Sequence, residues 1–503
     1  MKKTFFLIVF SLLLAACSTQ EPTTPEAITV TPTASAPITD LSDFYQQIVT
    51  WAPCEDLSGV LCTSIAVPLN YQEPSGITIQ IHLAKLPAEK NKIGSLLFNP
   101  GGPGASGISY LAYSQEVFSK NLLENFDVVA FDPRGVGISN PIDCLTDEEL
   151  DYFLAFDGTP DTDQEVADFL ELTKQMAAGC EENENNLVAH IGTRNAARDM
   201  DVIRAILNED KLDFLGVSYG SFLGATYADM FPENVGQFVL DGGVDPQIDS
   251  KTLSFEQALG LENALERFLT DCFTNRDCPF QGNIETARSE ILKFLSQLDQ
   301  NPIPTEDSNR DLTQAMATYS IAAFLYSKNY WPFLRDAFNA AFDGDGSLFL
   351  YVNDLFNERN SDGTFASNIS EAIYAINCFD KPATDDADAV KVLAAEWKQQ
   401  APIFGDYLAW SNLACGYWPA GETNDFILKA AGANPILVVG TLNDPATPYK
   451  WSVALVDQLA NAILLTLDGD GHTAYMTGSD CIDQVVDDFF VSKKIPEKDL
   501  ICN

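Results

Sequence analysis

Gly216-Val217-Ser218-Tyr219-Gly220 closes the apolar run Leu212-Asp213-Phe214-Leu215 and precedes the helix-like stretch Ser221–Met230. A serine in G-x-S-x-G between a strand and a helix sits on a sharp turn, with its hydroxyl presented at the strand end. Glycines two before and two after relieve clashes with neighbouring backbone. The spacing predicts a nucleophile elbow with Ser218 as nucleophile; the plain alternative is a tight turn. Such a serine needs a base, and the base needs an orienting carboxylate. The chain holds three histidines, His82, His190 and His472. Behind an elbow of this kind the order runs Ser, then Asp or Glu, then His. His82 and His190 both precede Ser218. His472 follows Asp468-Gly469-Asp470-Gly471, read as a flexible loop after the strand-like Ala462–Leu467.

The acid should lie between Ser218 and His472. Asp444 follows the strand-like Pro435–Val439 within Gly440-Thr441-Leu442-Asn443-Asp444-Pro445. Asp468 and Asp470 stand too near His472 in sequence to reach its Nδ1 side, and Asp241 follows another strand; each reads otherwise as a solvated loop carboxylate. A tetrahedral oxyanion needs two backbone donors. One is the N–H of Tyr219, the other that of Gly102 in Asn99-Pro100-Gly101-Gly102-Pro103-Gly104. A rival reading takes Gly102-Pro103-Gly104-Ala105-Ser106-Gly107, with Asp132 after the next strand, as a dinucleotide fingerprint. That motif alone is weak, and it leaves Ser218 and His472 unexplained.

These residues need a scaffold. Short apolar runs at Ser95–Asn99, Asp127–Phe131, Leu212–Val217, Gln237–Leu240, Pro435–Val439 and Ala462–Leu467 read as strands buried on both faces. Thr78–Leu83 alternates as an edge hairpin strand does. Ala196, Met200, Ile203 and Leu207 recur at helical spacing over Ala196–Asn208. Strand–helix alternation predicts an α/β fold with a mostly parallel sheet. Between 249 and 428 helical periodicity dominates, which predicts a large, mainly helical cap inserted into a core of 41–248 and 429–503.

Met1-Lys2-Lys3 followed by an apolar run from Phe5 to Ala16 reads as a signal peptide over 1–16. Leu14-Ala15-Ala16-Cys17 resembles a lipobox, in which Cys17 is lipidated and becomes the mature N-terminus. Residues 17–40, rich in Thr and Pro, read as an extended tether. The expected location is therefore the cell envelope, with the chain held to the membrane through Cys17. In an exported chain the ten remaining cysteines read as disulfides. Sequence alone leaves their pairing open; neighbour pairing would join 54–62, 144–180, 272–278, 378–415 and 481–502.

Charge excludes further classes. The formal charge is −43, from 72 acidic and 29 basic side chains. Such a chain is unsuited to gripping a phosphate backbone, which takes Lys and Arg that displace counterions. No nucleic-acid partner, metal or organic cofactor is expected.

Beyond single motifs, the chain resembles the secreted α/β-hydrolase peptidases of the prolyl and tripeptidyl aminopeptidase group. The likeness rests on Asn99–Gly104, Asp132-Pro-Arg-Gly-Val-Gly-Ile-Ser139, Gly216–Gly220, Thr441-Leu-Asn-Asp-Pro-Ala-Thr-Pro448 and Gly471-His472. The run Thr193–Pro246, the segment Ala375-Ile-Asn-Cys-Phe-Asp380 and Trp418-Pro419 add to it. The group has His where Pro100 stands in its prolyl members, so the tripeptidyl branch fits better. The resemblance implies an α/β-hydrolase core, a Ser218–Asp444–His472 triad, Tyr219 and Gly102 as oxyanion donors, and removal of short peptides from free N-termini. Recognition of a free α-ammonium in a partly dry pocket needs a carboxylate, and Asp380 is the candidate. Asp132 and Arg134 are expected to brace a turn, and Trp418 to pack inside the cap. An esterase or lipase on the same scaffold, and a binding lipoprotein without catalysis, remain as other readings.

Overall fold

The computed structural model describes residues 40–182, 184–418, 421 and 426–503. The segment 1–16 expected to be a signal peptide, and Cys17, lie outside these residues. Residues 39–503 form one compact unit. Its centre is a ten-stranded sheet with strands β1 (Ala52–Pro53), β2 (Leu61–Pro68), β3 (Thr78–Leu86), β4 (Gly94–Asn99) and β5 (Phe126–Phe131), then β6 (Leu212–Val217), β7 (Val235–Asp241), β8 (Ile436–Asn443), β9 (Ala462–Asp470) and β10 (Leu500–Cys502). The order is β1-β2-β3-β5-β4-β6-β7-β8-β9-β10. From β5 through β10 neighbouring strands run parallel, while β1, β2 and β3 join antiparallel.

The six apolar runs are all strands, because parallel strands covered on both faces must be apolar on both. β5 and β7 are buried along their whole length. Thr78–Leu83 belongs to β3, which is not an edge strand: it lies between β2 and β5. Its alternation marks a half-covered face, which an interior antiparallel strand can also have. The helical run is displaced a little, to Thr193–Ile206.

One feature of β9 departs from expectation. Asp468-Gly469-Asp470 is strand rather than flexible loop. A register shift between Thr441 and Asn443 lets β8 continue and pair Asn443 with Asp470. Between β7 and β8 the described residues form helices from Ser250–Cys272 through Gly405–Ser411, with no named strand. Many of these helices pack around a shared apolar cluster that includes Leu265, Phe268, Phe294, Phe324, Trp331 and Phe338. Five disulfides join Cys54–Cys62, Cys144–Cys180, Cys272–Cys278, Cys378–Cys415 and Cys481–Cys502, the neighbour pairing. Among the described residues no helix is long and apolar enough to cross a membrane.

Candidate active site

β6 ends at Val217, and the helix Tyr219–Met230 begins one residue later. Ser218 alone makes the turn, with φ 57° and ψ −122°. That left-handed geometry is costly for a residue with a Cβ and persists only where its surroundings hold it. Here the Ser218 N–H donates to Asp241 O at 2.8 Å. Its carbonyl accepts from the Ser221 N–H at 2.8 Å and the Ser221 hydroxyl at 2.6 Å. The flanking glycines are needed for close approach. A Cβ on Gly216 would fall 2.2 Å from Gly220 O, and one on Gly220 would fall 2.6 Å from Asn99 O.

The glycine loop after β4 lies against this elbow. A Cβ on Gly101 would fall 2.4 Å from Val217 O and 3.1 Å from the Tyr219 nitrogen. Gly101 donates its N–H to Asn99 Oδ1 at 3.1 Å. Gly102 and Pro103 line a cavity of about 380 Å³ together with Ser218 and Tyr219. The Tyr219 N–H is the first of its helix, where unpaired donors and the dipole favour negative charge.

His472 follows β9, and its Nδ1 lies 2.9 Å from Asp444 Oδ1 and 3.0 Å from Oδ2. Asp444 also accepts from the N–H groups of Ala446, Thr447 and Thr473 at 2.9, 2.8 and 3.1 Å, and from the Thr447 hydroxyl at 3.0 Å. Its side chain is wholly buried. A carboxylate so surrounded stays fixed in position and orients the imidazole. Burial pulls the His472 pKa down, but Asp444 and then Asp241 outweigh it, and the net shift is upward.

Asp241 belongs to this site in a different position. It is 1% exposed and accepts from the N–H of Ala474 at 3.1 Å and of Tyr475 at 2.8 Å. It therefore pins the two residues that follow Thr473 and is no solvated loop carboxylate. Burial raises its pKa to about 6. Asp468 is an exposed strand residue. Asp470 is held by Arg267 and by Lys328, the latter at 3.4 Å.

The other two histidines are elsewhere. His82 is on β3, with its N–H on Ser139 Oγ at 2.8 Å. The His190 carbonyl accepts from Arg134 at 3.0 Å. Arg134 is fully buried and doubly bonded to Asp199 at 2.8 and 2.7 Å. Asp132 accepts from Ser106 Oγ at 2.7 Å and from the Ile138 N–H at 3.1 Å. Both brace turns, and no phosphate-binding arrangement uses Asp132. Trp418 is buried and is not among the residues lining the cavity.

Asp380 does line the cavity, where it is the sole carboxylate among the described residues. Both its oxygens lie within bonding distance of the Thr193 N–H, at 3.0 and 3.1 Å, and one also takes the Thr193 hydroxyl. That hydroxyl in turn contacts the Tyr219 hydroxyl. Burial raises the Asp380 pKa to about 6. Sequence reasoning missed the cavity's tyrosines, Tyr319, Tyr326, Tyr374 and Tyr407. It also missed Tyr326 as a neighbour of His472: the Tyr326 carbonyl accepts the His472 N–H at 2.7 Å, and the two rings meet edge-on at 5.1 Å. Among the described residues no cluster of three or more His, Cys, Asp or Glu is arranged to hold a metal ion.

Known proteins resemble this chain over most of its length. A family described as TAP-like protein matches residues 401–502. The serine protease Hip1 of Mycobacterium tuberculosis is 36% identical over 476 residues, covering 91% of each chain. Carboxylesterase B of the same organism is 33% identical over 460 residues, 90% of this chain and 88% of that protein. The tripeptidyl aminopeptidase of Streptomyces lividans is 28% identical over 468 residues, 88% of this chain and 83% of that protein.

Proposed function

This chain belongs to the α/β-hydrolase family that holds Hip1 and the Streptomyces tripeptidyl aminopeptidase, and we propose that it is an exported, lipid-anchored serine exopeptidase. It releases di- or tripeptides, or prolyl residues, from free N-termini through an acyl-enzyme. Ser218 Oγ attacks the scissile carbonyl. His472 Nε2 takes the proton and returns it to the leaving amine, while Asp444 keeps Nδ1 protonated and steadies the charged ring. The N–H groups of Tyr219 and Gly102 receive the oxyanion. Water, activated by His472, then attacks the acyl carbonyl and frees Ser218.

The observations that carry this reading are the fully buried Asp444 within 3.0 Å of His472 Nδ1 and a serine held at positive φ between strand and helix. Exopeptidase action is supported by Asp380, which among the described residues is the one carboxylate lining the cavity, as the partner for a substrate α-ammonium. Lipid attachment through Cys17 is supported by the lipobox-like Leu14-Ala15-Ala16-Cys17 and the tether behind it. An esterase is the second reading, favoured by the likeness to carboxylesterase B.

The test is fluorophosphonate labelling of the native protein and of Ser218→Ala, followed by turnover of free and N-acetylated tripeptide anilides and short acyl esters. Labelling that depends on Ser218, with free peptides cleaved and blocked ones spared, is the expected result. Labelling that persists in Ser218→Ala removes the catalytic assignment. Esters cleaved with peptides untouched would favour the second reading. Palmitate incorporation lost in Cys17→Ser tests the anchor, and incorporation that survives refutes it.

A further inference from the structure

Thr193 opens the helix Thr193–Ile206, and Gly192 before it has no side chain to cap the helix start. The Thr193 N–H is one of the first-turn donors that a helix leaves without a partner of its own. Asp380 supplies the acceptor from far along the chain. It ends the helix Ile369–Asp380, where the dipole disfavours a carboxylate, and it meets the start of Thr193–Ile206, where the dipole favours one. Both its oxygens face the Thr193 N–H, at 3.0 and 3.1 Å, and Oδ2 also takes the Thr193 hydroxyl. The close approach depends on glycine: a Cβ on Gly192 would fall 2.8 Å from Asp380 Oδ1.

The hydrogens give the next contact its direction. An ionised carboxylate only accepts, so the single hydrogen of the Thr193 hydroxyl goes to Asp380. Thr193 Oγ1 also lies 2.5 Å from the Tyr219 hydroxyl, and there it can only accept. Tyr219 therefore donates. Burial, and then the Asp380 charge, hold its phenol well above the usual tyrosine value, so that hydrogen is present at physiological pH. Tyr219, Thr193 and Asp380 thus form one chain, and they are 8%, 0% and 3% exposed. At low dielectric the bonds of such a chain strengthen one another, and loss of one member is felt by the rest.

Each end of the chain meets the reaction. Tyr219 lines the cavity beside Ser218, and Asp380 lines it too. We infer that Thr193 is a positioning residue: its hydroxyl ties the Tyr219 ring to the Asp380 carboxylate, so one chain of hydrogen bonds sets the oxyanion donor against the site that takes the substrate α-ammonium. This deepens the peptidase reading and rests on it for the roles of Asp380 and of the Tyr219 N–H.

The same hydroxyl tunes Asp380. Burial raises the Asp380 pKa to about 6, against the Thr193 hydroxyl and N–H, Lys381 and Arg194, which all favour the ionised form. Lys381 adjoins Asp380 and has its ammonium on the Pro246 and Ile248 carbonyls, and Arg194 follows Thr193 on its helix. Removing the Thr193 hydroxyl takes a donor from the carboxylate, so the Asp380 pKa rises further.

The test reads both ends. Binding of Ala-Ala-Ala amide is measured by calorimetry in the Ser218→Ala background between about pH 4.5 and 7, where the peptide's α-ammonium stays charged. Affinity should fall as pH drops through the Asp380 value. Thr193→Val should move that midpoint up by about half a unit to one unit, and Thr193→Ser, which keeps the hydroxyl, should return it. Turnover of a short acyl ester, which has no α-ammonium, reports on Tyr219. Thr193→Val and Tyr219→Phe should each lower kcat by about two- to tenfold, Thr193→Ser should recover it, and the double variant should be no worse than either single one. Kcat left unchanged, or losses that multiply in the double variant, overturns the inference. So does a midpoint unmoved by Thr193→Val when Asp380→Asn abolishes peptide binding. Peptide binding that survives Asp380→Asn would instead remove the ammonium assignment, and the ester turnover would still decide whether Thr193 holds Tyr219.

Discussion

Asp444→Asn changes one oxygen to an amide, and the surroundings of Asp444 determine what that does. The carboxylate accepts from three backbone N–H groups, the Thr447 hydroxyl and His472. One oxygen serves Ala446 and Thr447, and the other faces Thr473. An asparagine keeps its oxygen on the paired amides, because both of those donors are fixed backbone N–H groups, whereas the Thr447 hydroxyl on the other oxygen can turn to accept. Its NH2 then faces the Thr473 N–H and the His472 ring. Donor meets donor at Thr473, and at His472 the amide demands an acceptor. The imidazole answers by carrying its proton on Nε2, the nitrogen that must accept from Ser218. The wrong tautomer costs on the order of 10⁴ in kcat in the serine-protease precedent. The unmatched Thr473 donor costs a further ~1–3 kcal/mol of stability. The sign of the pH effect follows from the raised His472 pKa. His472 works as a base only when neutral, so activity falls as pH drops through that value. Removing the Asp444 charge lowers the His472 pKa and moves the residual acid limb to lower pH. The assay is kcat/KM for a tripeptide anilide across pH, with thermal unfolding as a check on folding. A loss under about tenfold in a folded variant, or an acid limb that moves upward, would refute the argument.

Three further outcomes follow from charges and contacts. Asp241→Asn should move the acid limb of kcat/KM to lower pH by up to about one unit, since Asp241 contributes to the raised His472 pKa; an upward move sinks this. Arg134→Met should destabilise the fold by about 3–5 kcal/mol in denaturant unfolding, because it strands the fully buried Asp199 carboxylate. A cost under ~1 kcal/mol would show that the pair is not needed. Asp470→Asn should lower kcat/KM by about two- to fivefold and abolish its dependence on added salt. The Arg267 and Lys328 side chains that hold Asp470 are partly exposed, and salt screens such pairs.

The parallel half of the sheet was legible because strands covered on both faces must be apolar throughout, as in Val235–Asp241. Ser218 was legible because its turn tolerates little but glycine two residues away on either side. Asp470 was misread: glycine beside aspartate signals a loop, yet a register shift in β8 extends the pairing past it. The cavity wall was not legible at all. Tyr319 and Tyr326 lie in and just after one helix, while Tyr374 and Tyr407 lie in two others, and only tertiary packing brings them together. In sequence each is one aromatic among the many that fill a core. Asp241 was seen as a competing acid, but its bonds to Ala474 and Tyr475 depend on the end of β7 reaching the turn after His472.

The helical segment touches both loops that bear His472 and Asp444. The His472 N–H bonds to Tyr326 O, and Ser327 pairs with Gly471 in a β-bridge. On the acid side, the helix Ser250–Cys272 presents Gln257, which donates to Ala446 O at 3.0 Å. The same helix approaches Pro445 so closely that a Cβ on Gly260 would fall 2.7 Å from its carbonyl. His472 and Asp444 thus take part of their positioning from residues that also carry the cavity wall: Tyr326 touches His472 and lines the cavity, and Gln257 touches the Asp444 loop and lines it too. A substrate that shifts Tyr326 or Gln257 on binding must therefore shift the imidazole or its carboxylate as well. Specificity and rate are coupled through backbone contacts, so substitutions at Gln257 should change kcat along with KM. A change confined to KM would mean that the acid loop holds its position without the helix.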